Sequence, residues 1–561
     1  MGGNALRPPP LLSRGARELA LVLFFVGLAV YATRPLASDL QGQTLGGIDP
    51  PIYVWLVDWL ARHLVEPSLL FEGNIFYPSR HAALYSDLAL GSVLLVAPFT
   101  PWLSDPVPLY NLSVILTLAF GGWAFCALVR CLTGSTAAGI LSGILAAFGS
   151  HQLLHIYQLG LINVGWLALF LLGLHLTLDR PDAKSVCLTG VAFALNALSC
   201  AYYGVAAAIL ALVFATSKAR RLRSWKVVAS FGGAALLALL LMSPYLWTFW
   251  LLHSEEELAR PLVASEDLAF KPLRDLTSAA YAYRSLLPRG GERLFPGIAV
   301  LTLAGLGIGR RCRSWSFFVL GALSLTLLSL GPSTRAFGVD LGAGYRALFA
   351  IPPLDVMMHP YSFAAVARFL LCILAGLGFA SIGASRARPL GWSTFAPALA
   401  VLIGLIEVAG PGVWVRPVPA GVPPVYELLA DLPAGAVLEV PLELREAMIW
   451  AARHRRPVVN GAGGVSPLSH GILERAIRRY WIRASRESGE SLDIDATRPT
   501  AIVQALPVRY VIIPVGRSPE LQSLKDAFDR SRSFVPVATA SDGDVVYRVV
   551  RAERPRAPES P

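Results

Sequence analysis

The sequence predicts a polytopic α-helical membrane protein with about eleven spans, followed by a C-terminal soluble domain of mixed α/β structure. Three observations support this fold class. Of the 561 residues, 55% are hydrophobic and only 15% are charged, whereas a soluble protein carries about 25% charged residues. Apolar runs of about 16–25 residues recur up to residue 412, and each is long enough to cross a hydrocarbon core of about 30 Å. From residue 413 the composition is that of an ordinary globular domain.

The change in composition also predicts the domain boundaries. Residues 1–412 form a transmembrane domain, residues 413–551 an extracytoplasmic α/β domain, and the Pro/Arg-rich residues 552–561 a disordered tail. The predicted spans cover residues 17–33, 107–128, 135–150, 157–178, 185–201, 203–217, 227–250, 296–309, 315–331, 362–384 and 392–412.

Basic residues predict the orientation of these spans. Four basic groups fall on the same side of the membrane: Arg7, Arg14 and Arg17; Lys218, Arg220, Arg221, Arg223 and Lys226; Arg310, Arg311 and Arg313; Arg386 and Arg388. Basic loops remain in the cytoplasm, so the N-terminus is predicted to be cytoplasmic. The loops 34–106, 251–295 and 332–361 and the C-terminal domain are then extracytoplasmic. Topology thus accounts for much of the net charge of +11, and no compact basic domain with interleaved aromatic residues indicates a nucleic-acid partner.

The first outer loop, 34–106, is predicted to contain elements that lie at the membrane interface. Residues 51–64 (PIYVWLVDWLARHL) place apolar side chains at helical spacing, with Asp58, Arg62 and His63 on the other face, which is typical of an amphipathic interfacial helix. Residues 88–103 are apolar but contain Pro98 and Pro101. A span there would move the basic loop 218–226 to the outside, so we predict that 88–103 does not cross the membrane.

The C-terminal domain is predicted to have mixed α/β structure. Helices are expected at 425–432 and 473–488, and strands at 436–442 and 508–515, the second a β-branched run typical of a central strand. A hairpin is expected across Ser541-Asp542-Gly543.

Absent motifs exclude several functional classes. The six cysteines lie in spans or their flanks, and no CxxC pair is present, which excludes a zinc ribbon or a disulfide scaffold. The sequence has no GxxxxGK[ST], HExxH or GxSxG motif, so it predicts neither an ATP-driven pump nor the hydrolases that carry the other two motifs.

Asp49, in GGIDPP (46–51), is the strongest candidate for chemistry. The preceding glycines permit unusual backbone angles, and the two following prolines fix an extended exit, so the carboxylate is predicted to be held in one place. A carboxylate at this boundary could accept a proton from an incoming hydroxyl as a general base. The alternative is an ordinary cap on the helix that follows, whose first turn tolerates prolines.

Other acidic and aromatic residues of the outer surface are candidate substrate contacts. Asp39 and Asp87 lie in the same outer loop as Asp49. Tyr202 and Tyr203 lie in an outer turn, SCAYYGV (199–205). Tyrosines are expected at a membrane interface in any case, so an aromatic belt is the alternative for this pair.

Histidines and basic residues complete the candidate set. His151 and His155, four residues apart where the third span meets the outer face, could bind a phosphate or a metal, although no acidic or cysteine ligand is nearby in the sequence. Arg260 and Lys271, in the charged loop 251–295, are candidate phosphate contacts, and a solvated loop is the alternative. Arg368 lies inside a predicted span, where an arginine must face a partner or a polar cavity.

This arrangement resembles the GT-C superfamily of polyprenyl-phosphate-sugar glycosyltransferases. Their plan is one span, a long outer loop with an acidic residue and interfacial helices, and then many spans. Asp49 occupies the place of that acidic residue, and residues 110–150 are similar to the second and third spans with their basic turn. A bacterial branch of such proteins is more similar still. The similar stretches are NIFYP (74–78), Tyr202-Tyr203-Gly204, ERLFPG (292–297) and PVVNGAGG (457–464).

The resemblance implies a reaction at the outer face of a bacterial inner membrane. A sugar would be transferred from undecaprenyl phosphate to an acceptor hydroxyl that Asp49 deprotonates, with inversion at the anomeric carbon. Basic residues of the outer loops would hold the lipid phosphate as it leaves. The partners implied are a polyprenyl-phosphate-linked sugar and membrane lipid; no cofactor is implied, and a metal requirement is left open.

Two other classes of protein fit the same topology. One is a lipid or polysaccharide transporter or flippase, although inverted repeats and broken midplane helices are not evident in the sequence. The other is a non-catalytic membrane protein of envelope assembly. Replacement of Asp49 distinguishes an enzyme from both.

Overall fold

The computed structural model describes residues 14–255, 258–259, 293–310, 314–332, 334–336, 338–351, 354, 359–383, 391–410, 412–419, 421–443, 445–488 and 492–551. Arg260, Lys271 and the tail 552–561 lie outside the described residues.

Eleven apolar helices, α1 to α11, coincide with the predicted spans among the described residues. They are α1 Arg14–Ala32, α2 Pro106–Thr133, α3 Thr136–Ala147, α4 Gly165–Asp179, α5 Ala183–Ser199, α6 Ala201–Ser217, α7 Trp225–Glu255, α8 Ile298–Gly309, α9 Trp315–Ser329, α10 Tyr361–Gly383 and α11 Trp392–Val408. Short helices at Ser150–Leu154 and Leu159–Ile162 extend α3 and α4. Six of these segments (α1, α2, α3, α4, α7 and α10) are long and apolar enough to cross a membrane, and the others are shorter apolar helices of 10–17 residues.

Helix α10 lies at the centre of the bundle. In its most apolar stretch 89% of residues are buried, against 17% in α1 and α7, which therefore lie at the periphery. Close packing around α10 depends on glycine. A Cβ on Gly378 would lie 1.8 Å from the carbonyl oxygen of Leu303 in α8, so only glycine permits this approach of the two helices.

Within the described ranges, the strands form four small sheets. They are β1 Gln43–Leu45, β2 Leu258–Ala259, β3 Arg335–Ala336, β4 Val339–Asp340, β5 Val415–Pro417, β6 Ala436–Glu439, β7 Ser466–Pro467, β8 Val508–Ile513, β9 Phe534–Thr539 and β10 Val545–Val549. Strand β1 pairs with β5, β2 with β7, and β3 with β4, all antiparallel. The remaining strands form a sheet in the order β6-β8-β10-β9, in which only the β6–β8 pair is parallel.

Contacts between helix ends define two faces of the bundle. The β1–β5 pairing joins the segment after α1 to the segment after α11, and the β2–β7 pairing joins the segment after α7 to the C-terminal region. On the opposite face, Arg130 of α2 pairs with Glu18 of α1 at 2.5 Å, and Arg221 after α6 pairs with Asp179 of α4 at 2.8 Å. These contacts place the ends of α1, α7 and α11 that lead to strands in one group and the ends of α1, α2, α4 and α6 that carry these ion pairs in another; which group is cytoplasmic stays a prediction.

The first outer loop contains a buried helix, Pro50–His63, which we call the outer-loop helix. It packs between α2 and a helix of the C-terminal region. The sequence predicts Asp58 on a polar outer face, and this expectation is wrong, because the C-terminal region covers that face and leaves Asp58 fully buried. Within 88–103, the α-helix covers only the 7 residues Leu90–Val96. It rises about 10 Å and continues into a 3₁₀ turn over Ala97–Phe99. That residues 88–103 do not cross the membrane stays a prediction.

The described part of the C-terminal region contains, besides the four-stranded sheet, the helices α12 Pro424–Asp431, α13 Ala447–His454, α14 Leu468–Ile477, α15 Arg498–Ala505 and α16 Pro519–Asp529, and a short helix Ala484–Ser488. Strand β8 lies inside the sheet, and β9 and β10 form a hairpin, which confirms both expectations for these strands. The predicted helix 473–488 begins five residues earlier than expected, at Leu468, and continues past Ile477 as a π-turn over Arg478–Arg483.

Two sequence stretches, NIFYP (74–78) and PVVNGAGG (457–464), fasten the C-terminal region to the outer loop. The Val458 N–H donates to the Asn74 carbonyl at 2.7 Å, and the Tyr77 N–H donates to the Val458 carbonyl at 2.9 Å. The Asn74 amide donates to the carbonyl of Ala451 at 2.8 Å and accepts from the Trp55 indole at 2.8 Å. Main-chain pairing with a buried amide therefore holds the two segments in fixed register.

Candidate active site

Asp49 occupies the N-cap position of the outer-loop helix, but its carboxylate makes no capping hydrogen bond. One oxygen, Oδ1, accepts from Arg445 Nη1 at 3.0 Å, and the other, Oδ2, accepts from Gln158 Nε2 at 2.7 Å. The side chain remains 20% exposed. Each carboxylate oxygen can accept more than one hydrogen bond, so Asp49 is oriented by two donors and still has acceptor capacity toward solvent.

Gln158 links Asp49 to His155. Because the carboxylate accepts, the Gln158 amide must point its Nε2 at Asp49, which leaves Oε1 facing His155 Nδ1 at 2.9 Å. His155 therefore carries a proton on Nδ1. His155 thus donates to Gln158, and Gln158 and Arg445 both donate to Asp49, so the hydrogen bonds of this polar chain converge on the carboxylate.

An aromatic cluster continues this chain toward Tyr202. The rings of His155 and Tyr361 are stacked with their centroids 5.7 Å apart, and the ring centroids of His151 and His155 are 4.5 Å apart. The ring centroids of Tyr361 and His359 are 5.3 Å apart. The backbone N–H of His359 donates to the Tyr202 hydroxyl oxygen at 2.9 Å. The structure therefore brings together four of the predicted residues, Asp49, His151, His155 and Tyr202, although they come from distant parts of the chain.

Asp87, in the first outer loop, lies beside Ala201 and Gly160. Its Oδ1 accepts from the N–H of Ala201 at 3.2 Å, and a Cβ on Gly160 would lie 3.4 Å from its Oδ2. Burial raises the pKa of Asp87 from 3.8 to about 6. Burial, together with the charges of Asp87 and then Asp49, raises the pKa of Tyr53. A carboxyl group that titrates near neutrality suits acid–base chemistry.

Three further predicted residues lie outside this cluster. The Tyr203 hydroxyl donates to the Leu161 carbonyl at 2.8 Å within the core. Arg368 is 4% exposed and donates to the Leu145 carbonyl at 2.9 Å and to Gln152 Oε1 at 3.3 Å. Asp39 is exposed and accepts from the Gly42 N–H at 2.8 Å, which closes a local turn. The contacts of Tyr203 and Asp39 are those of structural residues.

Sequence reasoning missed two residues of the cluster, Arg445 and Gln158. Among the described residues, the ion-pair partner of Asp49 is Arg445 of the C-terminal region. Asp49 and Arg445 are separated by 396 positions, so no local pattern links them. Beside it, Arg416 pairs with Glu446 at 2.8 Å. Within the described part of the chain, no group of three or more His, Cys, Asp or Glu residues is placed to hold a metal ion.

Solved structures similar to this chain are membrane glycosyltransferases. The arabinofuranosyltransferase AftD from Mycobacteria is similar at a TM-score of 0.50 and 15% identity, over 96% of this chain and 42% of that one. This chain has the GT-C fold. It spans less than half of AftD, and at this identity the likeness concerns the fold alone.

Two other GT-C proteins align with most of the chain. ArnT from Cupriavidus metallidurans in the apo state gives a TM-score of 0.49 at 12% identity, over 95% of this chain and 98% of that one. AglB from Archaeoglobus fulgidus gives 0.45 at 13% identity, over 97% and 76%. No family model matches the sequence, and no curated protein does. The GT-C-like fold and the apolar helices make the chain a multi-pass membrane protein, as predicted.

Proposed function

We propose that this protein is a glycosyltransferase that moves a sugar from a polyprenyl-phosphate donor to an acceptor hydroxyl at the outer face of a bacterial inner membrane. In this proposal all eleven apolar helices cross the membrane, the N-terminus is cytoplasmic, and residues 413–551 form an extracytoplasmic domain that binds the acceptor or controls access to it. The GT-C fold and the placement of Asp49 support the proposal.

The orientation of the Asp49 carboxylate is the observation that carries it. A residue that only capped the outer-loop helix would bond to the free N–H groups at the start of that helix. The Asp49 carboxylate instead accepts from Gln158 and Arg445. Gln158 in turn bonds His155 of the aromatic cluster. The interactions that hold Asp49 there come from Gln158, which precedes the short helix Leu159–Ile162, and from the C-terminal region, which is the arrangement expected of a positioned base.

The proposed reaction proceeds in one displacement. Asp49 accepts the proton of the acceptor hydroxyl as the acceptor oxygen forms a bond to the anomeric carbon. The bond between that carbon and the phosphate oxygen breaks, polyprenyl phosphate leaves with the electron pair, and the configuration inverts. His151, His155 and Tyr202 border the sugar, and Arg260 or Lys271 of loop 251–295 holds the departing phosphate. The polyprenyl tail remains in the bilayer, because each buried CH₂ contributes about 0.8 kcal/mol.

The reaction is tested in a deletion strain complemented with Asp49→Asn, which keeps the size of the side chain and removes the base. Mass spectrometry of envelope glycans and lipid-linked sugars should show the donor accumulating, with transfer reduced by about 10²- to 10⁴-fold. Asp39→Asn, which changes an exposed outer-loop aspartate that closes a local turn, is the matched control, and Asp87→Asn is measured beside it as the alternative base. Normal glycans with normal amounts of the Asp49→Asn protein would favour a transporter or an assembly protein, and loss of transfer in Asp87→Asn alone would make Asp87 the base.

The proposed topology has its own test. Alkaline phosphatase fused after Trp414 should be active, because that position follows the last span on the outer face. The same enzyme fused within the basic loop 218–226 should be inactive. The reverse pattern would place the candidate site in the cytoplasm and exclude an outer-face reaction.

A further inference from the structure

A cavity lies near the C-terminal end of the outer-loop helix. Its volume is about 440 Å³, and its walls include Arg62, Ser104, Asp105, Arg453 and Arg455. This volume falls within the range of about 300–1,000 Å³ that is typical of small-molecule sites. The 14 residues of the outer-loop helix extend about 20 Å, so the cavity is well separated from Asp49.

The fully buried carboxylate of Asp58 anchors two of these arginines. Arg62 Nε contacts Oδ1 at 2.7 Å, and Arg455 Nη1 contacts Oδ2 at 2.6 Å. Burial raises the pKa of Asp58, whereas the guanidiniums of Arg455 and Arg62 oppose that rise. Burying a carboxylate is unfavourable unless it is paired and hydrogen-bonded. Here it fixes two guanidiniums side by side, one on each oxygen.

The two anchored arginines retain unused donors. Arg62 donates from Nη2 to the Leu103 and Ser104 carbonyls at 2.9 Å each, and this leaves Nη1. Arg455 is 40% exposed and contacts Asp58 through Nη1, so its Nε and Nη2 groups can donate to a ligand. Arg453 is occupied by Asp105 at 2.9 Å and is 7% exposed.

The cavity therefore carries an excess of positive charge. Three guanidiniums face two carboxylates, Asp58 and Asp105, which leaves one net positive charge. Guanidinium groups that are held in place bind planar or tetrahedral oxyanions through paired N–H donors. An uncharged ligand would leave this charge without a partner.

We infer that this cavity binds an oxyanion, a carboxylate or phosphate group, between Arg62 and Arg455. Soluble sugar acids or sugar phosphates, as in an acidic glycan, are one source of this chemistry, and the headgroup of an anionic phospholipid is another. The inference does not depend on the proposed glycosyl transfer, because binding can be measured without turnover.

The test is calorimetric titration of the purified full-length protein in an uncharged detergent. Glucuronate and glucose 6-phosphate should bind, and glucose should not. Arg455→Gln should weaken binding about 10- to 100-fold, as expected for the loss of charge-assisted hydrogen bonds. Arg455→Lys keeps a positive charge beside Asp58, so its affinity for the anions should fall between those of the wild type and Arg455→Gln. It also provides a second variant if Arg455→Gln lowers the melting temperature. Arg483→Gln, whose side chain is 73% exposed and pairs with Glu487, is the matched control.

The two sources are separated by lipid composition. A rise in melting temperature with phosphatidylglycerol in nanodiscs, lost in Arg455→Gln but not in Arg483→Gln, would support the inference with a lipid headgroup as ligand. Failure of every anion to bind the wild-type protein, or equal binding by the Arg455 variants, would overturn it. Asp49→Asn should leave binding unchanged, so this outcome is independent of the proposed reaction.

Discussion

The outer-loop helix and α13 are joined by an ion pair at each end, and the two pairs differ in burial. At one end Asp49 contacts Arg445, which precedes α13, and the carboxylate is 20% exposed. At the other end Asp58 contacts Arg455, which follows α13, and also Arg62; here the carboxylate is 0% exposed. Residues 49 and 58 pair with 445 and 455 in the same order, so the two helices run parallel.

This difference in burial distinguishes a carboxylate with a structural role from one that can react with a substrate. Asp58 is enclosed by two guanidiniums, and no solvent reaches it, so it cannot accept a proton from a substrate. Asp49 has one guanidinium and one amide, and part of its surface faces solvent. Both depend on arginines that flank a single helix of the C-terminal region. Docking of that region therefore completes both ends of the outer-loop helix.

The largest expected effect is on stability at the buried end. Asp58→Asn should destabilise the protein by about 3–5 kcal/mol, because it leaves two arginines at a buried site without a counter-charge. Asp49→Asn should change stability by less than about 1 kcal/mol, as expected for a partly exposed pair. Tryptophan fluorescence during denaturant unfolding of the purified variants measures both. Equal destabilisation by the two variants would remove the distinction between the ends of the helix.

The contrast also shows what a sequence reveals and what it hides. The eleven apolar helices could be predicted because each depends on a contiguous run of apolar residues, and the β9–β10 hairpin could be predicted from its local turn residues. Burial of Asp58 could not be predicted, because α13, almost 400 positions away, provides the cover. Arg445 was missed for the same reason. The turn formed by Asp39 and Gly42 is local and was open to prediction, since an aspartate that bonds an N–H a few residues later is a common turn feature.

Glu439 extends the comparison to a buried carboxyl group without a close guanidinium. It is 3% exposed, accepts a hydrogen bond from the Tyr426 hydroxyl and lies 4.0 Å from Arg517. Burial raises its pKa from 4.5 to about 7. An acid whose pKa is raised by folding favours the protonated state. The contribution of Glu439 to stability should therefore be greatest below about pH 4.5 and be lost as the pH rises through 7.

Glu439→Gln should remove this contribution and stabilise the protein by about 3 kcal/mol at pH 8, with little effect at pH 4.5. Burial lowers the pKa of His454 and His470 to about 4, and their titration changes stability in the opposite direction. The difference between wild type and Glu439→Gln cancels that contribution. Unfolding midpoints at several pH values supply the measurement. A difference that does not change with pH would show that folding leaves the pKa of Glu439 unshifted.

The smallest expected effect concerns how Asp49 is held. Gln158→Ala removes the donor to Oδ2 and leaves Arg445 as the remaining described partner of the carboxylate. The carboxylate should then rotate, and a small misplacement of a base lowers turnover by about tenfold. Gln158→Glu places a second carboxylate opposite Asp49 and should reduce turnover further. Transfer from the lipid-linked donor in isolated membranes is the measurement.

Gln504→Ala, which removes an exposed hydrogen bond to the Val550 carbonyl, is the control. Wild-type rates in both Gln158 variants would mean that Arg445 alone positions the base, and that His155 is not coupled to Asp49.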